Sequence, residues 1–150
     1  VLLPIYSAAE TITRLLNMGV PSFNLATSVD LIIAQRLARR LCSDCAVSAA
    51  DVPKNSLLDF GFNEELLFSA NIRTAVGCNN CNDGYKGRVG VFEVLRISPE
   101  ISKLIMESAN SIDIYNQASK EGFYDLRQSA LVKAAQGLIS LEEVNRITIE

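Results

Sequence analysis

The chain has 150 residues, of which 49% are hydrophobic and 21% are charged. This composition supports a packed core and excludes a disordered polymer. The formal net charge of −3 gives no overall attraction to nucleic acid or anionic lipid, so such binding would need a local basic patch. No apolar run reaches the roughly 20 residues of a membrane-spanning helix, so we expect no direct membrane insertion.

Two amphipathic helices are predicted at the start of the chain. Apolar residues at helical spacing indicate a helix over residues 7–18, with Ser7 as the N-cap and Glu10 at the capping-box position. A second apolar stripe indicates a helix over residues 22–41, with a break near residues 27–28.

The middle of the chain is predicted to hold two short helices and two strands. Apolar stretches between the second and third cysteines indicate helices over residues 56–60 and 63–69. Alternating β-branched side chains predict a strand over residues 71–76, and a run of valines and phenylalanine predicts another over 88–95. The turn between these strands carries the third and fourth cysteines.

The remainder of the chain is predicted to be helical. Ser98 followed by Pro99 is typical of a helix start, with serine as the cap and proline at the first helical position. Gly122 and Gly137 indicate helix ends. The pattern predicts four helices, over residues 99–108, 111–121, 126–136 and 140–147.

All four cysteines fall into two Cys-x-x-Cys pairs, Cys42 with Cys45 and Cys78 with Cys81. Two intervening residues let one tight turn aim both thiolates at the same point, so two such turns provide the four tetrahedral ligands that zinc prefers. The chain has no histidine, and a closed four-cysteine shell leaves no position for water, which predicts a structural zinc ion. The alternatives are two disulfides, a redox pair or an iron–sulfur cluster.

The other polar features favour structural roles. The cluster Arg36, Arg39 and Arg40 would serve phosphate recognition, an acidic partner or the dipole of the helix predicted there. The glycine-rich loop 84–90 lacks the GxxxxGK[ST] order of a phosphate-binding loop. We expect Glu93 to form an ion pair with an arginine. Without histidine or an interpretable carboxylate pair, we expect no autonomous catalysis by this chain.

Several long stretches together resemble the C-terminal part of the secretion-motor ATPases, and most closely the type IV pilus extension ATPases. The most specific motifs are AQRL before the first cysteine pair and GYKGRVGVFE after the second. The type II secretion ATPases are the near relatives to exclude. The matching stretches are TITRLLNMG over 11–19, FNLATSVDLIIAQRLARRLCSDC over 23–45, GCNNCNDGYKGRVGVFE over 77–93 and DLRQSALVKAAQGLISLEEVNRI over 125–147.

The resemblance implies a C-terminal lobe of a RecA-like motor domain. The parent would be a cytoplasmic hexamer, peripheral to the inner membrane, in which ATP hydrolysis drives a membrane-embedded platform protein and extends the pilus. The implied cofactors are structural zinc on the four cysteines, and ATP with Mg2+ in the parent only. The implied partners are neighbouring subunits and the platform protein. Arg36 and Arg88 are implied contributors to the nucleotide neighbourhood or the subunit interface.

Two departures from the family pattern limit this chain. The family's phosphate-binding loop, Mg2+-associated acidic segment and catalytic glutamate lie upstream, so we expect an ATPase parent and an inactive chain. The family also has a histidine-containing LHTN-type stretch where this sequence reads Leu3-Pro4-Ile5-Tyr6. Either residues 1–6 are vector-derived or otherwise foreign, or a motor element has been lost. The abrupt start favours the first interpretation.

We therefore expect a mostly helical α+β fold in three parts. Residues 1–41 would be the edge of the motor core, 42–95 a tetracysteine zinc subdomain with a helical insertion, and 96–150 a helical subdomain. The alternatives are the C-terminal part of a type II secretion ATPase and a free-standing zinc-ribbon adaptor that binds protein or nucleic acid. The acidic balance and the absence of stacking aromatics beside the arginines argue against nucleic acid.

Overall fold

A computed structural model describes residues 7–149, so the expectation about residues 1–6 lies outside the described residues. The fold is mixed α/β, with two small sheets in which β1 pairs with β4 and β2 with β3. None of the described helices has the length and apolar character needed to cross a membrane. The elements in chain order are α1 (Ala8–Asn17), α2 (Ser22–Ser28), β1 (Leu31–Leu41), β2 (Val47–Ser48), α3 (Lys54–Phe60), α4 (Glu64–Phe68), β3 (Arg73–Thr74), β4 (Tyr85–Arg96), α5 (Pro99–Met106), α6 (Ser111–Lys120), α7 (Leu126–Ala135) and α8 (Leu141–Thr148).

The described residues form two compact units. Unit 1 consists of residues 7–34 together with Phe92–Asp125. Unit 2 consists of Gln35–Val91 together with residues 126–149. Both β1 and β4 contribute residues to each unit, so the chain passes between the units within these strands.

Most helices begin and end where their local signals predicted. The side chains of Ser7, Ser98 and Ser140 each accept a hydrogen bond from the backbone N–H three residues later, at 3.1–3.2 Å, and so cap α1, α5 and α8. Gly122 and Gly137 follow α6 and α7 with φ of 85° and 74°, a conformation that favours glycine at a helix end. The helices predicted outside residues 22–41 are confirmed, each within two residues at either end.

The helix predicted over residues 22–41 is wrong for its second half. The helix α2 ends at Ser28, Val29 is extended, and the following residues form β1. Apolar residues occur on both faces of this run, so its pattern fits a helical stripe as well as a strand. Pairing with β4 decides for the strand, in which Ala38 and Leu41 are buried.

The two predicted strands are confirmed to different extents. The strand predicted over 88–95 is confirmed, and β4 begins three residues earlier than predicted. The strand predicted over 71–76 is confirmed only at β3, which pairs antiparallel with β2 through Val47 opposite Thr74. The strand β2 was not predicted, because two residues are too few to show an alternating pattern.

Unit 1 has an apolar core of its own, formed by helices and the end of β4. Glu93 is buried within this unit at 1% exposure, and its carboxylate accepts a 2.7 Å hydrogen bond from the backbone N–H of Ala8. A carboxylate at this first turn of α1 is favoured by the helix dipole, a role that the strand pattern did not predict. The buried apolar residues are Ala8, Ala9, Ile12, Leu25, Leu95, Ile101, Ile105, Ile114 and Ala118.

Unit 2 contains a larger apolar cluster and a small one. The small cluster consists of Leu41, Ala46 and Tyr85, of which the first two flank the first cysteine pair and Tyr85 lies four residues after the second. The cysteine turns are therefore joined directly to the packed interior of unit 2. The larger cluster consists of Ala38, Phe62, Ile72, Val91, Leu126, Ala130, Leu131, Ala134, Ala135, Ile139, Val144 and Ile147.

Candidate metal centre

The four cysteine sulfurs converge in unit 2. Cys42 follows β1 directly, Cys45 ends the next turn, and Cys78 and Cys81 lie in the turn before β4. All four Sγ atoms lie within 4.8 Å of one another. The Cys42–Cys78, Cys45–Cys81 and Cys78–Cys81 Sγ separations are 3.9, 3.7 and 3.6 Å. The structure thus brings together four residues that the sequence grouped only in pairs.

These separations suit a tetrahedral metal ion. Zinc with Zn–S bonds of about 2.3 Å places its sulfur ligands about 3.8 Å apart. The Sγ–Sγ separations of 3.6–3.9 Å match that spacing, whereas a disulfide bond needs about 2.05 Å. All four residues are free cysteines. The cluster could therefore hold a metal ion with no movement of the backbone.

Two backbone turns aim the sulfurs at one point. The Ala46 N–H donates to the Cys42 carbonyl at 3.0 Å, which closes the first turn. The Cys81 N–H donates to the Cys78 carbonyl at 3.3 Å, and the Cys78 N–H donates to the Cys81 sulfur at 3.2 Å. The Cys42 N–H also donates to the Gly84 carbonyl at 2.8 Å, which joins the first turn to the second.

The second turn closes through two residues with positive φ. Asp83 has φ of 50° and Gly84 has φ of 87°. Gly84 is needed for a further reason, since a Cβ there would lie 2.6 Å from the Ala75 Cβ and 2.9 Å from the Val76 backbone nitrogen. Only glycine combines this conformation with so close a backbone approach.

Hydrogen bonding shifts the pKa values of Cys78 and Cys81 in opposite directions. The backbone of Asn80 lowers the pKa of Cys78, but hydrogen bonds with the other thiols and burial outweigh it and raise that pKa to about 12. Burial raises the pKa of Cys81, but hydrogen bonds from the backbone of Cys78 and Gly84 and from the thiols lower it to about 7. One sulfur of the site therefore ionises near neutral pH, and the thiolate is the form that ligates a metal.

A polar network that sequence reasoning missed supports the first cysteine turn from α8. Arg39, three residues before Cys42, donates both its backbone N–H and its Nε to the Glu143 carboxylate, the latter at 3.0 Å. The Arg39 guanidinium lies 4.2 Å from the centre of the Tyr85 ring. The Tyr85 hydroxyl forms a buried 2.8 Å hydrogen bond with Ser140, the N-cap of α8.

Glu143 is the charged centre of this network. Its side chain is fully buried and also forms an ion pair with Arg146. Burial alone raises the pKa of Glu143, but hydrogen bonds from Arg146 and Arg39 outweigh it and hold that pKa below its ordinary value. The spacing from Ser140 marks Glu143 as a capping-box residue, which is the only local signal. Its partner Arg39 lies 104 residues away in sequence, so no local pattern indicates the ion pair.

The arginines assigned by resemblance lie on the paired strands. Arg36 on β1 and Arg88 on β4 are both exposed. Their role at a nucleotide or a subunit interface stays a prediction. The helix-dipole interpretation of Arg36, Arg39 and Arg40 is wrong, because these residues lie on a strand and not in the last turn of a helix.

Comparison with known proteins gives one consistent result. The family described as "Type II/IV secretion system protein" matches residues 4–146. The chain is 60% identical over 142 residues to the type IV pilus assembly ATPase PilB of Pseudomonas aeruginosa, covering 95% of this chain and 25% of that protein.

More distant relatives match over nearly the same length. Identity is 39% to PilB of Myxococcus xanthus, covering 91% of this chain and 24% of that protein. Identity is 35% to the type II secretion system ATPase E of Vibrio cholerae, covering 96% of this chain and 28% of that protein. The chain therefore spans about a quarter of the length of these curated relatives.

Proposed function

The chain belongs to the type II/IV secretion system protein family, and from this membership we propose that it is the C-terminal part of a hexameric ATPase that powers type IV pilus extension. The observation that carries the proposal is the 60% identity to a type IV pilus assembly ATPase, against 35% to a type II secretion system ATPase. The chain would be a lobe of a RecA-like motor domain, cytoplasmic and bound to the inner membrane through a platform protein.

In this proposal the chain contributes structure and contacts, while ATP and Mg2+ bind residues of the parent that precede it. Arg36 and Arg88 are proposed to face the nucleotide neighbourhood or an adjacent subunit, and their exposure on the paired strands is compatible with either role. The three-part division at residues 41 and 95 is likewise a proposal about the parent protein.

Zinc is the proposed ion of the cysteine cluster. A four-thiolate donor set suits zinc or an iron–sulfur cluster, and sulfur separations of 3.6–3.9 Å support a single tetrahedral ion. Bound zinc would supply folding free energy and no catalysis, because the four thiolates fill its coordination shell. Metal analysis of the purified reduced chain should find one zinc per chain, and a yield well below one, or iron with acid-labile sulfide, would reject this assignment.

An exchange of segments tests the function. We would replace the aligned segment of Pseudomonas aeruginosa PilB by this chain in a strain without its own PilB, and count surface pili by electron microscopy. We expect pili to be restored. The same chimera with Cys78→Ser should produce none, because the metal site is broken. Asn79→Ser, in the same turn and also exposed, is the matched control and should leave piliation intact.

The alternatives predict other outcomes. If a folded chimera assembles no pili, but the same exchange into the Vibrio cholerae type II ATPase restores secretion, the chain is a type II component and the pilus proposal is wrong. The adaptor alternative relies on Arg36, Arg39 and Arg40 as a nucleic-acid patch. Arg39 is already held by Glu143 and the Tyr85 ring, which weakens that alternative.

A further inference from the structure

The second cysteine turn is more exposed to solvent than the first. Cys78 is exposed and Cys81 is partly buried. On the first turn, Cys42 is fully buried and Cys45 is partly buried. The four residues that separate Cys78 and Cys81 from each other and from Gly84 are exposed as well. A small reagent dissolved in water therefore reaches the Cys78 sulfur more readily than the Cys42 sulfur.

The two sulfurs of the second turn already lie close together. The Cys78 and Cys81 Sγ atoms are 3.6 Å apart, and the backbone N–H of Cys78 donates to the Cys81 sulfur at 3.2 Å. A disulfide bond brings two sulfurs to about 2.05 Å, so this pair would have to close by about 1.5 Å. Rotation of two side chains on a short exposed turn is the kind of movement that this closure requires.

The first turn is anchored to the interior of unit 2, whereas the second turn is held more loosely. The Leu41 N–H, next to Cys42, donates to the Leu138 carbonyl at 2.8 Å, and Leu41 and Cys42 are both buried. The Asn80 side chain of the second turn donates to Asp44 in a longer, exposed hydrogen bond of 3.3 Å. Movement of the second turn therefore disturbs less of the packed interior.

We propose that Cys78 and Cys81 form a peroxide-sensitive pair, whose oxidation to a disulfide releases the zinc ion. This regulation of the cysteine cluster rests on the zinc assignment proposed for it. A peroxide is the class of oxidant that fits, because hydrogen peroxide is small, uncharged and able to convert a thiolate into a sulfenic acid. Thiolates react with it according to their exposure, which selects Cys78 as the first site of attack.

The reaction consumes one peroxide per chain. The Cys78 thiolate attacks one peroxide oxygen, the O–O bond breaks, and the products are the Cys78 sulfenic acid and hydroxide. The Cys81 thiolate then attacks the Cys78 sulfur, the S–O bond breaks, and the products are the disulfide and a second hydroxide. The two sulfurs lose two electrons, the peroxide gains them, and both hydroxides take protons from water or buffer.

The disulfide removes two of the four ligands at once. The remaining pair, Cys42 and Cys45, is too small a ligand set for a structural zinc site, so these two sulfurs take up protons and the ion leaves. In the cytoplasm proposed for the chain, thiol reductants would reopen an exposed disulfide. Because Cys42 and Cys45 stay reduced throughout, that single reduction restores all four ligands.

A peroxide titration of the reduced, zinc-loaded chain tests the proposal. Metal analysis first measures the bound zinc, and a chromophoric chelator then follows its release as hydrogen peroxide is added. Alkylation in denaturant, followed by peptide mass spectrometry, identifies the oxidised cysteines. We expect about one zinc released per peroxide consumed, a Cys78–Cys81 disulfide as the main product, and Cys42 and Cys45 in alkylated form. Dithiothreitol with added zinc should restore the bound metal.

Two asparagine variants form a matched pair that leaves all four ligands in place. Asn80→Ala removes the hydrogen bond to Asp44, so the second turn should move more freely and release zinc about threefold faster at a fixed peroxide concentration. Asn79→Ala, at the neighbouring exposed position, should leave the rate unchanged. Equal acceleration in both variants would contradict the idea that the tether to Asp44 restrains the reacting pair.

Three further results would overturn the proposal. The first is a disulfide between the two turns, Cys42–Cys78 or Cys45–Cys81, as the main product. The second is oxidation of Cys42 as early as that of Cys78. The third is retention of zinc when peroxide is in excess. Absence of zinc before any peroxide is added would instead reject the zinc assignment, and this inference with it, so the two failures are distinguishable.

Discussion

Among the residues that support the cysteine site, Glu143 should be the most sensitive to mutation, because its charged side chain is fully buried. Its carboxylate forms ion pairs with two arginines, Arg39 and Arg146, and accepts a hydrogen bond from a backbone N–H of β1. Removing one member of such a buried pair leaves the others without their partner. The arginine side chains are 43% and 48% exposed, so water compensates part of that loss.

We expect Glu143→Gln to lower the free energy of unfolding by about 2–3 kcal/mol, the cost of charged hydrogen bonds lost at a half-exposed pair. The folded-state pKa of Glu143 is lowered, so its stabilisation is present above its unfolded pKa and lost as pH falls through the folded pKa. Urea unfolding between about pH 3 and pH 7 should therefore show a shallower acid loss in the variant than in the wild type. Glu142→Gln, at the exposed neighbouring acid, is the control, and an unchanged profile in Glu143→Gln would contradict the prediction.

Two glycines allow the cost of steric crowding to be measured separately from the cost of backbone strain. Gly84 and Gly87 both have positive φ, at 87° and 77°. A Cβ on Gly87 would meet open space, whereas one on Gly84 would lie 2.6 Å from the Ala75 Cβ. Both alanine variants should lose about 1–2 kcal/mol to strain, and Gly84→Ala should lose at least about 1 kcal/mol more to overpacking. Urea unfolding measures both losses of stability, and equal losses in the two variants would contradict the prediction. Zinc affinity, from chelator competition, should fall in Gly84→Ala only.

At the scale of elements, the helix α8 is tied to the cysteine region by its first turn. Ser140 caps the helix by accepting the Glu143 N–H at 3.2 Å and is bonded to the Tyr85 hydroxyl at 2.8 Å. Tyr85 begins β4, four residues after the last cysteine. The start of α8 and the start of β4 are therefore held together by one buried hydroxyl pair.

A double-mutant cycle measures this connection. Tyr85→Phe should cost about 1–2 kcal/mol, because the serine hydroxyl loses a buried partner. Ser140→Ala should cost about 2–3 kcal/mol, because the N-cap is lost as well. The two losses should be non-additive by about 1 kcal/mol in urea unfolding. Ser98→Ala, which removes the cap of α5, should add independently to Tyr85→Phe, and full additivity of the first pair would show that the hydroxyl pair carries no energy.

At the scale of the whole molecule, the metal site belongs to only one of the two compact units. Unit 2 contains all four cysteines and the small cluster of Leu41, Ala46 and Tyr85. The core of unit 1 is built from other residues, on α1, α2, α5, α6 and the end of β4. Loss of the ion should therefore destabilise unit 2 more than unit 1, since the free energy of metal binding is coupled to folding around the site.

We expect chelation of the metal to raise amide hydrogen exchange in unit 2 and to leave α1 and α5 of unit 1 much less affected. Mass spectrometry with and without a chelator makes the comparison peptide by peptide. The largest change should appear at residues 41–46 and 78–85, with a smaller one in α8. An equal rise in both units would mean that the ion stabilises the chain as one cooperative block, contrary to this prediction.

Features that depend on neighbours along the chain are predictable from the amino-acid sequence. Ser7, Ser98 and Ser140 cap their helices because a side chain reaches a backbone N–H three residues away. The two Cys-x-x-Cys pairs are predictable in the same way, because two intervening residues let one tight turn bring both thiolates together. The family was evident from long ordered motifs around the cysteines.

Features that depend on partners far away in sequence emerge only when the whole chain is folded. The residues of β1 fit a helix equally well by pattern, and pairing with β4 made them a strand. That strand places Arg39 against Glu143, 104 residues away, and removes the helix end that the arginine cluster was expected to serve. The convergence of the Cys42–Cys45 pair with the Cys78–Cys81 pair likewise depends on tertiary contacts. Contacts across such separations depend on how the whole chain packs, which local propensity does not encode.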